Sequence, residues 1–425
     1  MNMIELYAIY QQHPNVVTDT RKILPGSIFV ALKGPNFNGN DYAVEALQKG
    51  ASYCICEEWN GDKNDQIILV ENSLDTLQQL ALHHRKQFNI PFIAITGSNG
   101  KTTTKELVSA VLATTYKTYT TVGNFNNHIG VPLTLLSIGK DAQMAVIEMG
   151  ANHQKEIESY CAYTLPTHGI ITNCGKAHLE GFGGEEGVKK GKGELFSFLR
   201  NNAGTAFINN DLDYLQQMSA GIPNMIEYGT NTGFVTGKIV RDQHYVEVNF
   251  TGAVHLFAVK TQMVGGYNLP NLLTAACIGK HFGVRDEDIR SALENYTPSN
   301  SRSQLLKIGS NQIVLDAYNA NPTSMKAAII NFAKMEGDKK ILMLGGMMEL
   351  GTESIQEHKD IVALIQSYSW YKVLLVGKDY SNLPKEILHF QQAAEARQWY
   401  VENAPENALV LIKGSRSMQM EKILE

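Results

Sequence analysis

Ile95-Thr96-Gly97-Ser98-Asn99-Gly100-Lys101-Thr102-Thr103 is the stretch whose reading decides the fold. Before it runs a short apolar segment, Ile90 to Ile95, broken only by Pro91. After it, Leu107, Ala110 and Val111 recur at helical spacing. Strand, glycine turn, Gly-Lys-Thr and helix form a holder for a nucleotide triphosphate. Glycine lets the backbone turn tightly, so that its N–H groups face phosphate oxygens. The helix N-terminus adds positive potential. Gly97 to Thr103 would cradle the phosphates, with Lys101 neutralising the outer ones and the Thr102 hydroxyl facing Mg²⁺. The strict loop pattern places Gly six residues before the lysine, where this chain has Ile95; the match is to a shorter Gly-x-x-Gly-Lys-Thr form. The competing reading is a surface turn that happens to contain Gly and Lys.

Working outward, the chain divides into three α/β units. Residues 1–88 carry expected strands at Ser27–Leu32, Ala51–Cys56 and Gln66–Val70, with helices at Asp41–Lys49 and Ser73–Gln87. The Asn89-Ile90-Pro91 junction closes this unit, since Pro restricts the residue before it. Residues 89–298 hold the phosphate loop. Further strands are expected at Met144–Glu148, Gly169–Asn173 and Thr205–Asn209, and helices at Gln154–Ala162, Val188–Leu199 and Asn268–Phe282. Between Gly233 and Lys260 the pattern changes to antiparallel strands. The polar linker Thr297–Ser301 leads into residues 299–425, with strands at Gln312–Asp316, Lys340–Leu344, Lys372–Val376 and Ala408–Ile412 and helices starting near Pro322, Ser354 and Ser417. The expected fold class is therefore α/β in three domains: a central, P-loop-type, mostly parallel sheet and a C-terminal Rossmann-like domain without a Gly-x-Gly-x-x-Gly.

Bulk composition narrows the function. A chain of 425 residues with 44% hydrophobic content supports several cores. A net charge of −5 offers no general attraction to nucleic acid or an anionic membrane, so neither is expected as a partner. The five cysteines (Cys54, Cys56, Cys161, Cys174, Cys277) are odd in number and form no Cys-x-x-Cys, as in a reducing compartment. Met1 to Tyr10 lacks a basic region followed by an apolar core, and no apolar run approaches ~18 residues. A cytoplasmic protein, not inserted in a membrane and acting as a monomer, is expected.

Other residues gather around the loop by position. Glu148 ends a strand, where open α/β sheets bind ligands, and could hold Mg²⁺ with Thr102; the alternative is a solvated strand-end carboxylate. His178, in a glycine-rich loop after the next strand, could be a second ligand or could bond only its own backbone. Lys189, Lys190 and Lys192 are either a solvated basic face or compensation for phosphate charge, and their spacing does not choose among them. Asn268 and Asn271 could read a purine edge, or one could simply cap the helix that follows. Asn321 and Pro322 read as an N-cap and first-turn pair, which leaves Asp316 as the functional candidate of its segment.

Taken as a set, the shortened loop, Glu148-Met-Gly, the His178 loop, Lys192-Gly-Glu, Asn268-x-x-Asn271, Arg302 and Asp316 resemble the Mur ligase family in order and spacing. The likeness covers essentially the whole chain. Three stretches, Asp19–Gly34, Gly123–Pro132 and Lys413–Met418, narrow it to ligases that add D-alanyl-D-alanine to the UDP-N-acetylmuramoyl tripeptide in peptidoglycan precursor synthesis. The resemblance implies that the first domain holds the UDP-sugar, the second ATP and the third the dipeptide. It implies catalytic roles for Lys101, Glu148, His178 and Lys192, and a metal set of Thr102, Glu148, His178 and Lys192. Lys192 aligns with a lysine that is carbamylated in several members. Asn268, Asn271, Arg302 and Asp316 match nucleotide contacts, and Thr20, Arg21, Asn126 and Asn127 match substrate contacts. Departures from the family pattern are Gly346, where Asp is usual, and His128, where an acidic residue is common. The implied reaction phosphorylates the tripeptide carboxylate with ATP and then aminolyses the acyl phosphate. Another Mur-type amino-acid ligase, a P-loop phosphotransferase and a nucleotide-controlled binding module are the competing readings.

Overall fold

The strand expected before the phosphate loop is Phe92–Thr96, and all five of its residues are buried. Its alternation shows why the run is continuously apolar. Phe92 and Ala94 join one hydrophobic core, while Ile93 and Ile95 join another on the opposite face. A parallel sheet covered by helices on both faces demands this. On one face lie Leu107, Val108, Val111 and Leu112 of helix Lys101–Ala113 together with helix Leu269–His281. On the other lie helices Glu156–Thr164 and Glu185–Asn201. The computed structural model describes residues 1–381 and 383–425.

Strand Phe92–Thr96 lies third from one edge of a nine-stranded sheet. Its neighbours, both parallel, are His168–Ile171 and Met144–Glu148, in a register that sets Ile95 against Glu148 and Ile171 against Thr96. Thr118–Thr120 closes one edge. Towards the other edge come Thr205–Asn209, Asn224–Gly229 and Val235–Arg241, all parallel. Glu247–Gly252 and Leu256–Lys260 then add the expected antiparallel extension.

A four-stranded parallel sheet (Val16–Val17, Ile28–Val30, Tyr53–Cys56, Ile67–Leu69) lies N-terminal to this. A six-stranded sheet lies C-terminal: Gln304–Ile308 is antiparallel to Asn311–Asp316, and Leu409–Lys413, Lys340–Gly345, Lys372–Val376 and Ile387–Phe390 follow in parallel. The chain is thus α/β with a mostly parallel central sheet and a Rossmann-like C-terminal unit.

Helix Ser73–Arg85 ends two residues before the expected Gln87, and its last residue, Arg85, forms a cross-link. Its guanidinium donates to the Thr164 and Leu165 carbonyls at 2.7 and 2.9 Å and lies 3.6 Å over the Phe92 ring. The helix expected near Ser417 is replaced by two 3-10 turns, Arg416–Met418 and Met420–Leu424. Between them Gln419 takes a left-handed conformation (φ 48°), which interrupts any α-helical ladder.

Candidate active site

The loop after Thr96 turns at Gly97 (φ 144°) and Gly100 (φ 81°). A Cβ at Gly97 would lie 2.0 Å from Thr172 Oγ1, and one at Gly100 2.6 Å from Asn271 Oδ1, so only glycine fits either place. Gly100 is also the N-cap of helix Lys101–Ala113, and no side chain caps that end. The orphan N–H groups of the first turn are therefore left for a ligand. Neighbouring strand ends brace the loop. Asn173 accepts from Asn99 N at 3.1 Å and from Ser98 N at 2.8 Å, and Thr172 Oγ1 donates to Asn99 O at 2.7 Å.

Lys101 folds back over this loop and donates to the Gly97 and Ser98 carbonyls at 2.7 and 3.2 Å. Burial pulls its ammonium below the ordinary lysine value, and nearby Glu148 opposes the shift. Glu148 is 1% exposed. Its Oε1 accepts from Thr102 Oγ1 at 3.0 Å and Asn126 Nδ2 at 2.7 Å, whereas its Oε2 is buried without any partner. A buried carboxylate oxygen left bare beside a threonine hydroxyl fits a hard divalent cation such as Mg²⁺.

The other two expected metal ligands point elsewhere. His178, at φ 54°, directs Nδ1 to Glu349 of the C-terminal unit, and this bond holds the Glu349 carboxyl below its usual range. Lys192 is 1% exposed; its Nζ donates to the Ala151 carbonyl at 3.0 Å and lies 4.8 Å from the Phe182 ring. Burial, and secondarily Lys101, push its amine well below the ordinary lysine value. Among the described residues no group of three or more His, Cys, Asp or Glu side chains converges on one point. Lys190 is the exposed member of the basic run, and half-buried Lys189 pairs with Glu186.

A cleft of about 840 Å³ gathers most of the candidates: Ser98 to Thr103, Asn126, Asn127, Glu148, His178, Asn268, Asn271, Arg302 and Asp316 line it. Asn268 does not cap its helix. Its amide instead joins a buried chain in which Asn268 donates to Val264 O, Asn271 to Asn268 and Thr104 to Asn271, each at 2.9–3.0 Å. The two asparagines thereby tie helix Leu269–His281 to the phosphate-loop helix. Asn127 caps the following turn through Ile129 N and Gly130 N. Arg302 presents its guanidinium 3.6 Å over the Tyr318 ring. Asp316 is engaged by Lys413 at 2.6 Å, a partner that the sequence reading did not assign.

Thr20 and Arg21 lie away from this cleft. Thr20 donates to Glu45, and Arg21 is forked onto Asp19 at the surface. Their 3-10 turn approaches the cleft through Lys22, which sits 4.9 Å from the Phe125 ring, between the lining residues Asn124 and Asn126. Across the cleft, the C-terminal unit is fastened to the loop side by Asn321 donating to Asn99 at 2.7 Å, by Lys176 pairing with Glu357 at 2.6 Å and by His178–Glu349. Asn321 also caps helix Pro322–Lys334. Glu349 and Glu357 carry no local mark, and Lys413 stood out only as part of the family-like stretch Lys413–Met418; each gains its role from a partner more than ninety positions away.

The same residues can be set beside known proteins. Residues 14–85 match the description "Mur ligase family, catalytic domain", 95–279 "Mur ligase middle domain" and 301–416 "Mur ligase, glutamate ligase domain". The chain is 36% identical to the UDP-N-acetylmuramoyl-tripeptide–D-alanyl-D-alanine ligase of Escherichia coli (strain K12), over 96% of this chain and 92% of that one. A crystal structure of MurF from Acinetobacter baumannii superposes with a TM-score of 0.88 at 29% identity, covering 98% of this chain and 96% of the other. MurF from Thermotoga maritima in complex with ADP gives 0.86 at 28%, with coverage of 97% and 96%. With all three domain descriptions matched in order and a relative aligned over nearly its whole length, this chain belongs to the Mur ligase family.

Proposed function

We propose that the chain is an ATP-dependent, ADP-forming ligase that joins D-alanyl-D-alanine to the UDP-N-acetylmuramoyl tripeptide in peptidoglycan precursor synthesis. The full-length likeness to relatives named for that reaction, and to a MurF solved with ADP, supports the substrate assignment. One local observation carries the chemistry. The uncapped helix at Gly100, Lys101 and the bare Glu148 Oε2 share one sheet edge, faced across the cleft by Arg302.

A carboxylate is a poor acylating agent, so the tripeptide carboxylate is first made an acyl phosphate. Its oxygen attacks the γ-phosphorus of ATP, and ADP leaves. The dipeptide amine then attacks the acyl carbon, and phosphate departs. Two anions must meet in the first step. The loop N–H groups and Lys101 stabilise the charge that builds on the γ-phosphoryl oxygens. Thr102 and Glu148 would hold Mg²⁺, which supplies further neutralisation when bound. Burial lowers the Lys192 amine well below the ordinary lysine value, the direction that favours the free amine a carbamate requires. The cross-cleft bonds through Asn99, Lys176 and His178 would keep water from the acyl phosphate. In this reading residues 1–88 bind the UDP-sugar with Thr20, Arg21, Asn126 and Asn127 near it, residues 89–298 bind ATP, and residues 299–425 bind the dipeptide. Among the described residues no helix is long and apolar enough to cross a membrane. A cytoplasmic site of action is part of the proposal.

The test is phosphate release from ATP with the UDP-muramoyl tripeptide against a panel of amines. We expect turnover with D-alanyl-D-alanine and little with free amino acids. Full activity with amino acids and none with the dipeptide would sink the substrate assignment; ADP formation without phosphate release would favour a phosphotransferase.

A further inference from the structure

Arg302 differs from the other arginines near the cleft in having nothing to neutralise it. It enters none of the ion pairs among the described residues, and its Nε is buried without a hydrogen-bond partner. Arg416, 5.9 Å from the same Tyr318 ring, is by contrast paired with Glu421 at 2.9 Å. Two features hold Arg302 in this state. The backbone around it is forced: Asn300, Ser301 and Ser303 have φ of 55°, 55° and 49°, a left-handed conformation that non-glycine residues keep only where their surroundings impose it. The turn is pinned by Tyr318 N donating to Ser301 O at 3.2 Å, by Ser303 N donating to Asp316 Oδ1 at 3.2 Å and by the Tyr267 hydroxyl contacting Ser303 Oγ at 3.1 Å. The guanidinium itself lies 3.6 Å over the Tyr318 ring. A ring in that position shields one face of the cation without accepting its in-plane hydrogen bonds.

We propose that Tyr318 is a positioning residue for nucleotide binding: its ring holds the unpaired Arg302 guanidinium in the cleft so that the N–H edge is kept for the phosphates of ATP. The proposal rests on the reading that ATP occupies this cleft. Any carboxylate in place of the ring would neutralise the arginine, and an aliphatic side chain would leave it free to swing towards solvent. The hydroxyl has no part in this role.

The test is direct binding of a non-hydrolysable ATP analogue by calorimetry, alongside KM for ATP and kcat. Tyr318→Leu should weaken analogue binding about tenfold and raise KM in step, on the scale of a partly desolvated cation–ring contact. Tyr318→Phe should bind within about twofold of the natural chain, as expected when only the ring face contributes. Tyr318→Met, with a longer and more adaptable side chain, repeats the measurement should the leucine variant fold poorly. In an Arg302→Met background, Tyr318→Leu should add almost nothing, because the group it positions is gone. Unchanged binding by both aliphatic variants, loss in the phenylalanine variant, or an undiminished loss in the Arg302→Met background would each overturn the proposal while leaving the ligase reading intact. Failure of the natural chain to bind the analogue at all would overturn both.

Discussion

The central and C-terminal sheets present the same kind of edge, the carboxyl ends of parallel strands, yet use it in opposite ways. At the central sheet the charges are left open. Lys101 is bonded only to carbonyls, and Glu148 keeps one oxygen bare. At the C-terminal sheet the corresponding charges are spent on each other: Asp316 and Lys413 are direct neighbours in register and pair at 2.6 Å. The difference teaches that topology supplies the place for a site, while unneutralised charge at that place marks where chemistry is done. The closed edge serves as a buttress, since Lys413 also braces the Asn319 carbonyl beneath the helix that carries Asn321.

The contrast breaks most visibly at Lys101. Lys101→Ala should lower amide formation by about 10³-fold, the scale of losing a main transition-state cation. UDP-substrate affinity should stay near its original value. Calorimetry with the UDP-tripeptide beside a phosphate-release assay checks this, and joint loss of binding and turnover would point to misfolding. At the buttress the large effect should be on stability. Lys413→Met leaves Asp316 charged and unpaired at a nearly buried site, costing about 3 kcal/mol in urea unfolding. Pairing it with Asp316→Asn should recover a good part of that; a double variant no better than the single would remove the buttress reading.

Glu148→Gln sharpens the comparison further. The amide can still accept from Thr102 and Asn126, but the bare anionic oxygen is gone. We expect kcat to fall about 10²-fold with the fold intact, and a variant with normal turnover and normal Mg²⁺ dependence would show that the oxygen is idle. The smallest effect lies at the amino end of the same central sheet, where His168 is packed among Phe207, His281 and Phe282. Burial, with His281 adding to it, lowers the His168 pKa from 6.5 to about 4. The unfolded chain therefore binds the proton more readily, and stability falls as pH drops from 6.5 towards 4. Between pH 6.5 and 5.5 the loss should be about 1 kcal/mol, and His168→Phe should flatten it. An unchanged slope in that variant would assign the acid sensitivity elsewhere.

How far the chain could be read in advance varies by element. Strands Met144–Glu148, Thr205–Asn209 and Lys372–Val376 lie where the apolar runs put them. Helix Ala393–Asn403 was not anticipated, because only Ala393, Ala396 and Tyr400 of it are buried and two alanines make a faint stripe. The site divides in the same way. Gly97 to Thr103 were legible, since a phosphate cradle is a local backbone event. Whether Asn268 capped a helix or read a purine edge was open; in the structure it makes no cap and its amide bonds Val264 and Asn271.

By itself the sequence determined the phosphate loop, the alternation of strands and helices and the family likeness, because each is written in residues close together along the chain. Tertiary structure alone decided which charges stay open. Asp316 lost its freedom to Lys413, His178 turned to Glu349, Lys192 was drawn to the Ala151 carbonyl, and Arg302 was left over Tyr318 with no counter-charge. The reason is physical: neutralisation depends on distances of a few ångströms between residues far apart in sequence, and only the order and register of the sheets set those distances.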